Sequence, residues 1–286
     1  MRITGRTRLA GIMGWPVSHS RSPALHNFWI DEHGIDGAYV PLPVRPEHLR
    51  QALRALPILG FRGCNLTLPH KEAALALVDR VETSARRMGA INTIVVAADG
   101  LLEGSNTDVF GFRENLRERA PGWAPEAGAA VVLGAGGAAR AVVAALLETR
   151  IAEICVVNRT LARAETLARE LDLPPSRITA HPWSERSAVL SNCGLLINTT
   201  SLGMAGEEPL DIDLTELPAA AVVVDIVYTP LDTALLSTAR ERGHRTVDGL
   251  GMLLHQARPG FEAWFGSPVE VTRELRAAVL TTLIAR

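Results

Sequence analysis

Residues 129–140, AAVVLGAGGAAR, constrain the fold more than any other part of the chain. An unbroken apolar run leads into a cluster of glycines, and an alanine-rich segment follows. A continuous apolar run marks a strand buried on both faces, as in parallel sheets covered by helices. Gly134, Gly136 and Ala139 match the spacing G-x-G-x-x-G/A, with an additional Gly137. The glycines of that pattern permit a tight turn and close backbone approach, and the following helix N-terminus attracts pyrophosphate. Glycine turns also arise for steric reasons, so the motif alone says little. Here it joins strand to helix, and a second apolar strand, EICVVNRT, follows. The pattern predicts a Rossmann-like dinucleotide site with Gly134, Ala135, Gly136, Gly137 and Ala138 in the turn.

The second strand selects the cofactor. A site for NAD places Asp or Glu about 20 residues after the glycines, against the ribose 2′-OH. This chain has Asn158 and Arg159 there. Thr160 reads as the N-cap of the next helix, which puts Arg163 at its third position. A cation in the first turn faces the positive end of the helix dipole, an unfavourable placement. Arg159 and Arg163 with no acid beside them therefore imply an anion, and the 2′-phosphate of NADP supplies one. The competing reading is two ordinary solvated arginines.

Alternation continues on both sides of this unit. Upstream, residues 7–14, GAYVPLPV and NLTLPHK read as strands, with helices from Pro23, through Leu49, Leu53 and Leu56, and from near His70. AINTIVV and GLLEGSN read as a hairpin around Asp99 and Gly100. A helix from about Asn106 carries Phe110, Phe112 and Leu116, and the turn-rich APGWAPEAG opens the glycine-turn unit. Downstream come LLINTT, AVVVDIVY and two terminal helices without a further strand. Strands alternating with helices argue for an α/β fold of two domains. The N-terminal one, with a largely parallel sheet, spans residues 1–106 together with 250–286, and the C-terminal Rossmann-like NADP domain spans 107–249.

Bulk properties exclude several function classes. The 286 residues carry a formal net charge of −2 with Lys and Arg scattered among acids, which gives no footprint for nucleic acid. No run reaches the roughly 18 apolar residues that a membrane helix needs, and MRITGRTRLAGIMG lacks a secretory apolar core. Cys64, Cys155 and Cys193 are odd in number and lack CxxC spacing, so neither metal nor disulfide is expected. These features suggest a cytoplasmic protein with a small-molecule substrate, and they leave monomer and homodimer equally open.

The remaining polar motifs are ordinary one at a time. In NLTLPHK, Asn65 and Thr67 alternate with Leu66 and Leu68, so the amide and the hydroxyl share a face. Pro23 biases Ser22 toward an extended conformation, which points the hydroxyls of Ser20 and Ser22 the same way. Singly, Ser22 could be a helix cap, GAINT a strand start and NTD (106–108) a cap. Together, GWPVSHSRSP, NLTLPHK, GAINT, NTD, LGAGGAAR, NRT, INTTSLGM and DGLGMLLHQA, in this order over nearly the whole chain, closely resemble the shikimate dehydrogenase family.

That resemblance implies reversible NADPH-linked reduction of 3-dehydroshikimate to shikimate. It assigns Ser20 and Ser22 to the substrate carboxylate, and Asn65, Thr67 and Asn92 to the ring or the carboxylate. Lys71 becomes the general acid/base and Asp108 its orienting partner, with Tyr228 and Gln256 as later substrate contacts. Ile226 and Gly249 fall beside the nicotinamide half. Val109 stands where the family often has Gly. A polyhydroxylated ring acid needs many neutral donors and acceptors at fixed angles, which this set provides. His19, His70 and His255 adjoin site residues but read as structural or peripheral, and Cys64 as core. Other readings remain: a quinate/shikimate dehydrogenase of relaxed choice, a non-catalytic ring-acid sensor, or another two-domain NADP enzyme.

Overall fold

The computed structural model describes residues 3–171 and 177–284. It divides into two compact units, Met1–Thr107 with Leu254–Arg286, and Asp108–Leu253. Residues 285 and 286 of the expected terminal helix lie outside the described residues.

The first unit contains, in order, β1 (Arg8–Gly14), α1 (Ser22–Glu32), β2 (Gly37–Pro43), α2 (Leu49–Ile58), β3 (Phe61–Leu66), α3 (His70–Ala73), β4 (Arg80–Val81), α4 (Thr83–Met88), β5 (Thr93–Val96) and β6 (Leu102–Ser105). The sheet order is β2-β1-β3-β5-β6-β4. β1 runs parallel to β2 and β3, and β4 to β6, whereas the hairpin makes β3–β5 and β5–β6 antiparallel. α2 buries Leu49, Leu53 and Leu56, the helical stripe expected from their spacing, in a cluster with Cys64, Leu66 and Ile94. Elsewhere in the unit lies an aromatic cluster of Trp29, Tyr39, Phe261 and Phe265, all fully buried. Buried indole N–H groups need acceptors; Trp29 donates to the Glu270 carbonyl at 3.0 Å and Trp264 to that of Ile94 at 2.9 Å.

The second unit contains α5 (Asp108–Arg119), β7 (Ala129–Leu133), α6 (Gly137–Leu147), β8 (Ile154–Asn158), α7 (Leu161–Leu171), β9 (Ile178–Pro182), β10 (Cys193–Asn198), β11 (Val222–Asp225), α8 (Ala234–Glu241) and β12 (Arg245–Val247). α9 (Leu250–Phe265) and α10 (Arg273–Ile284) complete the chain. Its sheet, ordered β12-β11-β10-β7-β8-β9, is parallel throughout. β7 is buried at every position, which explains its unbroken apolar run. β9 and β12 are edge strands that the apolar pattern misses, because an edge strand tolerates Thr, His, Pro and Arg. α5 begins at Asp108 and not at Asn106, because Asn106 and Thr107 spend their polar groups on the segment that leads into β5. Asn106 Nδ2 donates to the Ala90 carbonyl at 3.0 Å, and the Thr107 N–H to Asn92 Oδ1 at 2.9 Å. Among the described residues no helix is long and apolar enough to cross a membrane.

Candidate active site

In the second unit the glycine turn divides into two kinds of glycine. Gly134 has φ +108°, and a Cβ there would meet Thr199 Oγ1 at 2.7 Å, so the fold itself demands glycine. Gly136 and Gly137 have no positive φ, and a Cβ at either would meet nothing within 4 Å. Neither conformation nor packing explains them. A ligand approaching the backbone does, at the start of an eleven-residue helix whose first N–H groups lack intrahelical partners. Ala139, fully buried, holds the small-residue position where helix and strand pack closely. The turn thus fits a pyrophosphate.

β8 ends at Asn158, whose amide donates to the Thr160 carbonyl at 2.8 Å and shapes the turn into α7. Because α7 starts at Leu161, Arg163 is its third residue, and the first turn holds no acid. Arg159, Thr160 and Arg163 are exposed. Among the described residues, neither arginine pairs with a carboxylate, whereas Arg140 nearby pairs with Glu170. Farther along, Gly249 and Ile226 meet backbone to backbone: a Cβ on Gly249 would lie 2.0 Å from the Ile226 carbonyl oxygen. Tyr228, half-buried, follows two residues later.

A buried carboxylate anchors that segment. Asp225 accepts hydrogen bonds from the Val227 N–H at 3.0 Å, Asn198 Nδ2 at 3.0 Å and the Thr233 hydroxyl at 2.7 Å. Burial raises it to about 6, against the pull of those three donors. Nothing in AVVVDIVY marks this residue in the sequence except an acid inside an apolar run.

In the first unit β3 and β5 bring the strand-end motifs together. Asn65, buried, donates from Nδ2 to the Asn92 carbonyl and to the Thr93 hydroxyl, both at 3.1 Å, and accepts from the Tyr39 hydroxyl at 2.6 Å. Asn92 Oδ1 accepts from the Thr93 hydroxyl at 3.0 Å and the Thr107 N–H at 2.9 Å, which fixes its amide plane. The Thr107 hydroxyl lies 3.2 Å from Asn92 Oδ1 and 3.4 Å from Gln256 Oε1. Thr67 is half-buried, and its methyl fills the space that Gly14 leaves open. The Ile91 N–H donates to the Lys71 carbonyl at 2.8 Å, so the Lys71 backbone lies alongside the residue before Asn92. Asp108 opens α5 in the second unit, half-buried like Val109.

Three expectations change here. Ser22 does not take the extended geometry that Pro23 suggested. It is the first residue of α1, with Pro23 in the first turn, where proline costs no hydrogen bond. Ser20 Oγ instead accepts the Ser22 N–H at 3.3 Å. Asn65 does not share Thr67's access: both its amide hydrogens are consumed inside the protein. The helix at His70 is one turn, His70–Ala73, and His70 itself is buried with Nε2 2.7 Å from the Val44 carbonyl. Tyr39, Thr93 and Thr107 were not singled out from the sequence. Thr93 and Thr107 lay inside the quoted GAINT and NTD, but nothing near Tyr39 distinguishes it from a core aromatic. Among the described residues no three His, Cys, Asp or Glu side chains gather as a metal site.

Comparison with known proteins places the chain. Residues 12–94 match the model of the shikimate dehydrogenase substrate binding domain, and residues 123–231 that of shikimate / quinate 5-dehydrogenase. A shikimate dehydrogenase (NADP(+)) from Paramagnetospirillum magneticum is 58% identical over 98% of this chain and 100% of its own length. A Thermus thermophilus shikimate 5-dehydrogenase, solved with NADP(H) and shikimate, is 37% identical with a TM-score of 0.83, covering 96% of this chain and 99% of that one. A Corynebacterium glutamicum quinate dehydrogenase, solved with NAD, is 31% identical with a TM-score of 0.89, covering 96% and 99%. With both domain models matched in order and such identity across nearly the full length, the chain belongs to the shikimate dehydrogenase family.

Proposed function

We propose that the protein catalyses the reversible NADPH-linked reduction of 3-dehydroshikimate to shikimate, with Lys71 as general acid/base and Asp108 as its orienting partner. The observation that carries this reading is the hydrogen-bonded set of Asn92, Thr107 and Gln256 beside the Lys71 backbone. Neutral donors and acceptors fixed at set angles suit a ring that bears several hydroxyls, since each unpaired group would cost binding.

In this reading the hydroxyls of Ser20 and Ser22 hold the substrate carboxylate, and Thr67, Asn92, Tyr228 and Gln256 hold the ring. Bound NADPH supplies the hydride to the ketone carbon. Negative charge then develops on the ketone oxygen, and Lys71 donates a proton to it from Nζ. In the oxidative direction the neutral amine takes that proton back. Asp108 accepts a hydrogen bond from a ring hydroxyl and orients Lys71. Gly134, Ala135, Gly136, Gly137 and Ala138 cradle the pyrophosphate, Asn158 and Thr160 shape the adjoining turn, and Arg159 and Arg163 hold the 2′-phosphate. Ile226 and Gly249 border the nicotinamide. A reducing cytoplasm suits three cysteines that are all free and buried.

Steady-state kinetics with shikimate and quinate, each with NADP and NAD, test the assignment. Strong preference for shikimate with NADP is expected. Comparable efficiency on quinate, or with NAD, replaces this reading by a relaxed quinate/shikimate dehydrogenase.

A further inference from the structure

The Tyr39 hydroxyl sits, wholly buried, against the strand-end network of the proposed substrate site. It donates to Asn65 Oδ1 at 2.6 Å. Asn65 in turn ties β3 to β5 through the Asn92 carbonyl and Thr93. From Asn92 the bonds run on to Thr107 and Gln256. The Tyr39 ring is itself held. His26 stacks on it at 4.1 Å with the planes 12° apart, and Trp264 lies 5.9 Å away. The backbone of Tyr39 is clamped on both sides by Asn27, whose Oδ1 accepts the Tyr39 N–H at 3.0 Å and whose Nδ2 donates to its carbonyl at 2.9 Å. A phenol in an aromatic core needs no hydroxyl to fill space, so the oxygen is there for Asn65.

We propose that Tyr39 and Asn65 are positioning residues for the substrate: the Tyr39 hydroxyl sets Asn65, and Asn65 sets Asn92. Neither touches the ring acid. This rests on the function proposed above and reassigns Asn65 from ligand to support. A network whose members are all satisfied holds each amide and hydroxyl in one orientation, and removing one member leaves a buried partner unpaired.

The test uses the full chain. Wild-type oxidation of shikimate with NADP is measured first, and its absence defeats the functional reading and not the positioning role. Tyr39→Phe keeps the ring and removes one oxygen. The expected result is a KM for shikimate raised about tenfold, which corresponds to about 1.4 kcal/mol, with the KM for NADP within twofold. Asn65→Ala should cause a similar loss, and adding Tyr39→Phe to it should cost little more, because the two act through one bond. A merely structural role would lower the melting temperature and leave the shikimate KM unmoved below it. That outcome overturns the proposal, as do equal losses for shikimate and NADP, or additive losses in the double variant.

Discussion

The glycine turn and the strand-end network solve opposite problems. Around the turn, four of the residues assigned to the cofactor are exposed: Gly136 and Gly137, which nothing in the protein requires, and Arg159 and Arg163, without carboxylate partners among the described residues. In the first unit the polar groups are buried and already bonded to one another. A phosphate-bearing ligand brings its own charge, so open backbone and free cations suffice to hold it. The hydroxyls of a ring acid bring none beyond its single carboxylate, and they can be recognised only by groups whose angles are set beforehand.

The hardest test of that division is Lys71→Met, which acts on chemistry while sparing the network. Turnover should fall by about 10²–10⁴-fold, the range for general acid–base catalysis, and shikimate affinity far less. Near-normal turnover would make Lys71 a binding or structural residue. Asp108→Asn keeps shape and removes charge, so single-turnover rates should show an intermediate loss.

Arg159→Ala comes next. A charge-assisted contact contributes about 1.5–3 kcal/mol, or very roughly 10–100-fold. The KM for NADP should rise by that factor while use of NAD stays unchanged, and equal losses with both cofactors would remove the assigned role.

The two kinds of glycine can be separated by alanine. Gly136→Ala meets no protein atom, so the melting temperature should hold while the KM for NADP rises about tenfold, 1.4 kcal/mol. Gly134→Ala forces a side chain into φ +108° beside Thr199, costing about 1–3 kcal/mol of stability. If Gly136→Ala leaves cofactor binding intact, the turn is steric after all.

The smallest effect is an opposed response to pH. In the first unit, burial holds His26 down to about 3 from an ordinary 6.5. The unfolded chain therefore binds the extra proton between those values, and local stability rises with pH from about 3 to 6.5. In the second unit, burial raises Asp225 to about 6 from 3.8. Here the folded state binds the extra proton, so local stability falls as pH rises from 3.8 to about 6. Each slope should be about 1.4 kcal/mol per pH unit, read by hydrogen exchange of peptides from each unit. His26→Phe should flatten the first and Asp225→Asn the second. Parallel slopes that neither variant changes would refute both assignments.

What the sequence determined was whatever rests on local rules. The apolar run of β7, the glycine spacing, the acid-free turn of α7 and the hairpin at Asp99–Gly100 are all set within a few neighbours, by period, φ or charge. The resemblance carried the chemistry, because its motifs recur in order along both domains. Edge strands β9 and β12 escaped, since one exposed side relaxes the pattern that makes a strand readable. Only the tertiary structure decided which polar groups face inward. Alternation put Asn65 and Thr67 on one face, yet Tyr39, 26 residues away in sequence, closes over Asn65 and spends its Oδ1. Likewise, Asp225 reads as an acid in a strand until Asn198, Val227 and Thr233 surround it. A hydrogen bond between distant segments depends on the packing of everything between them, and no local period in the chain records it.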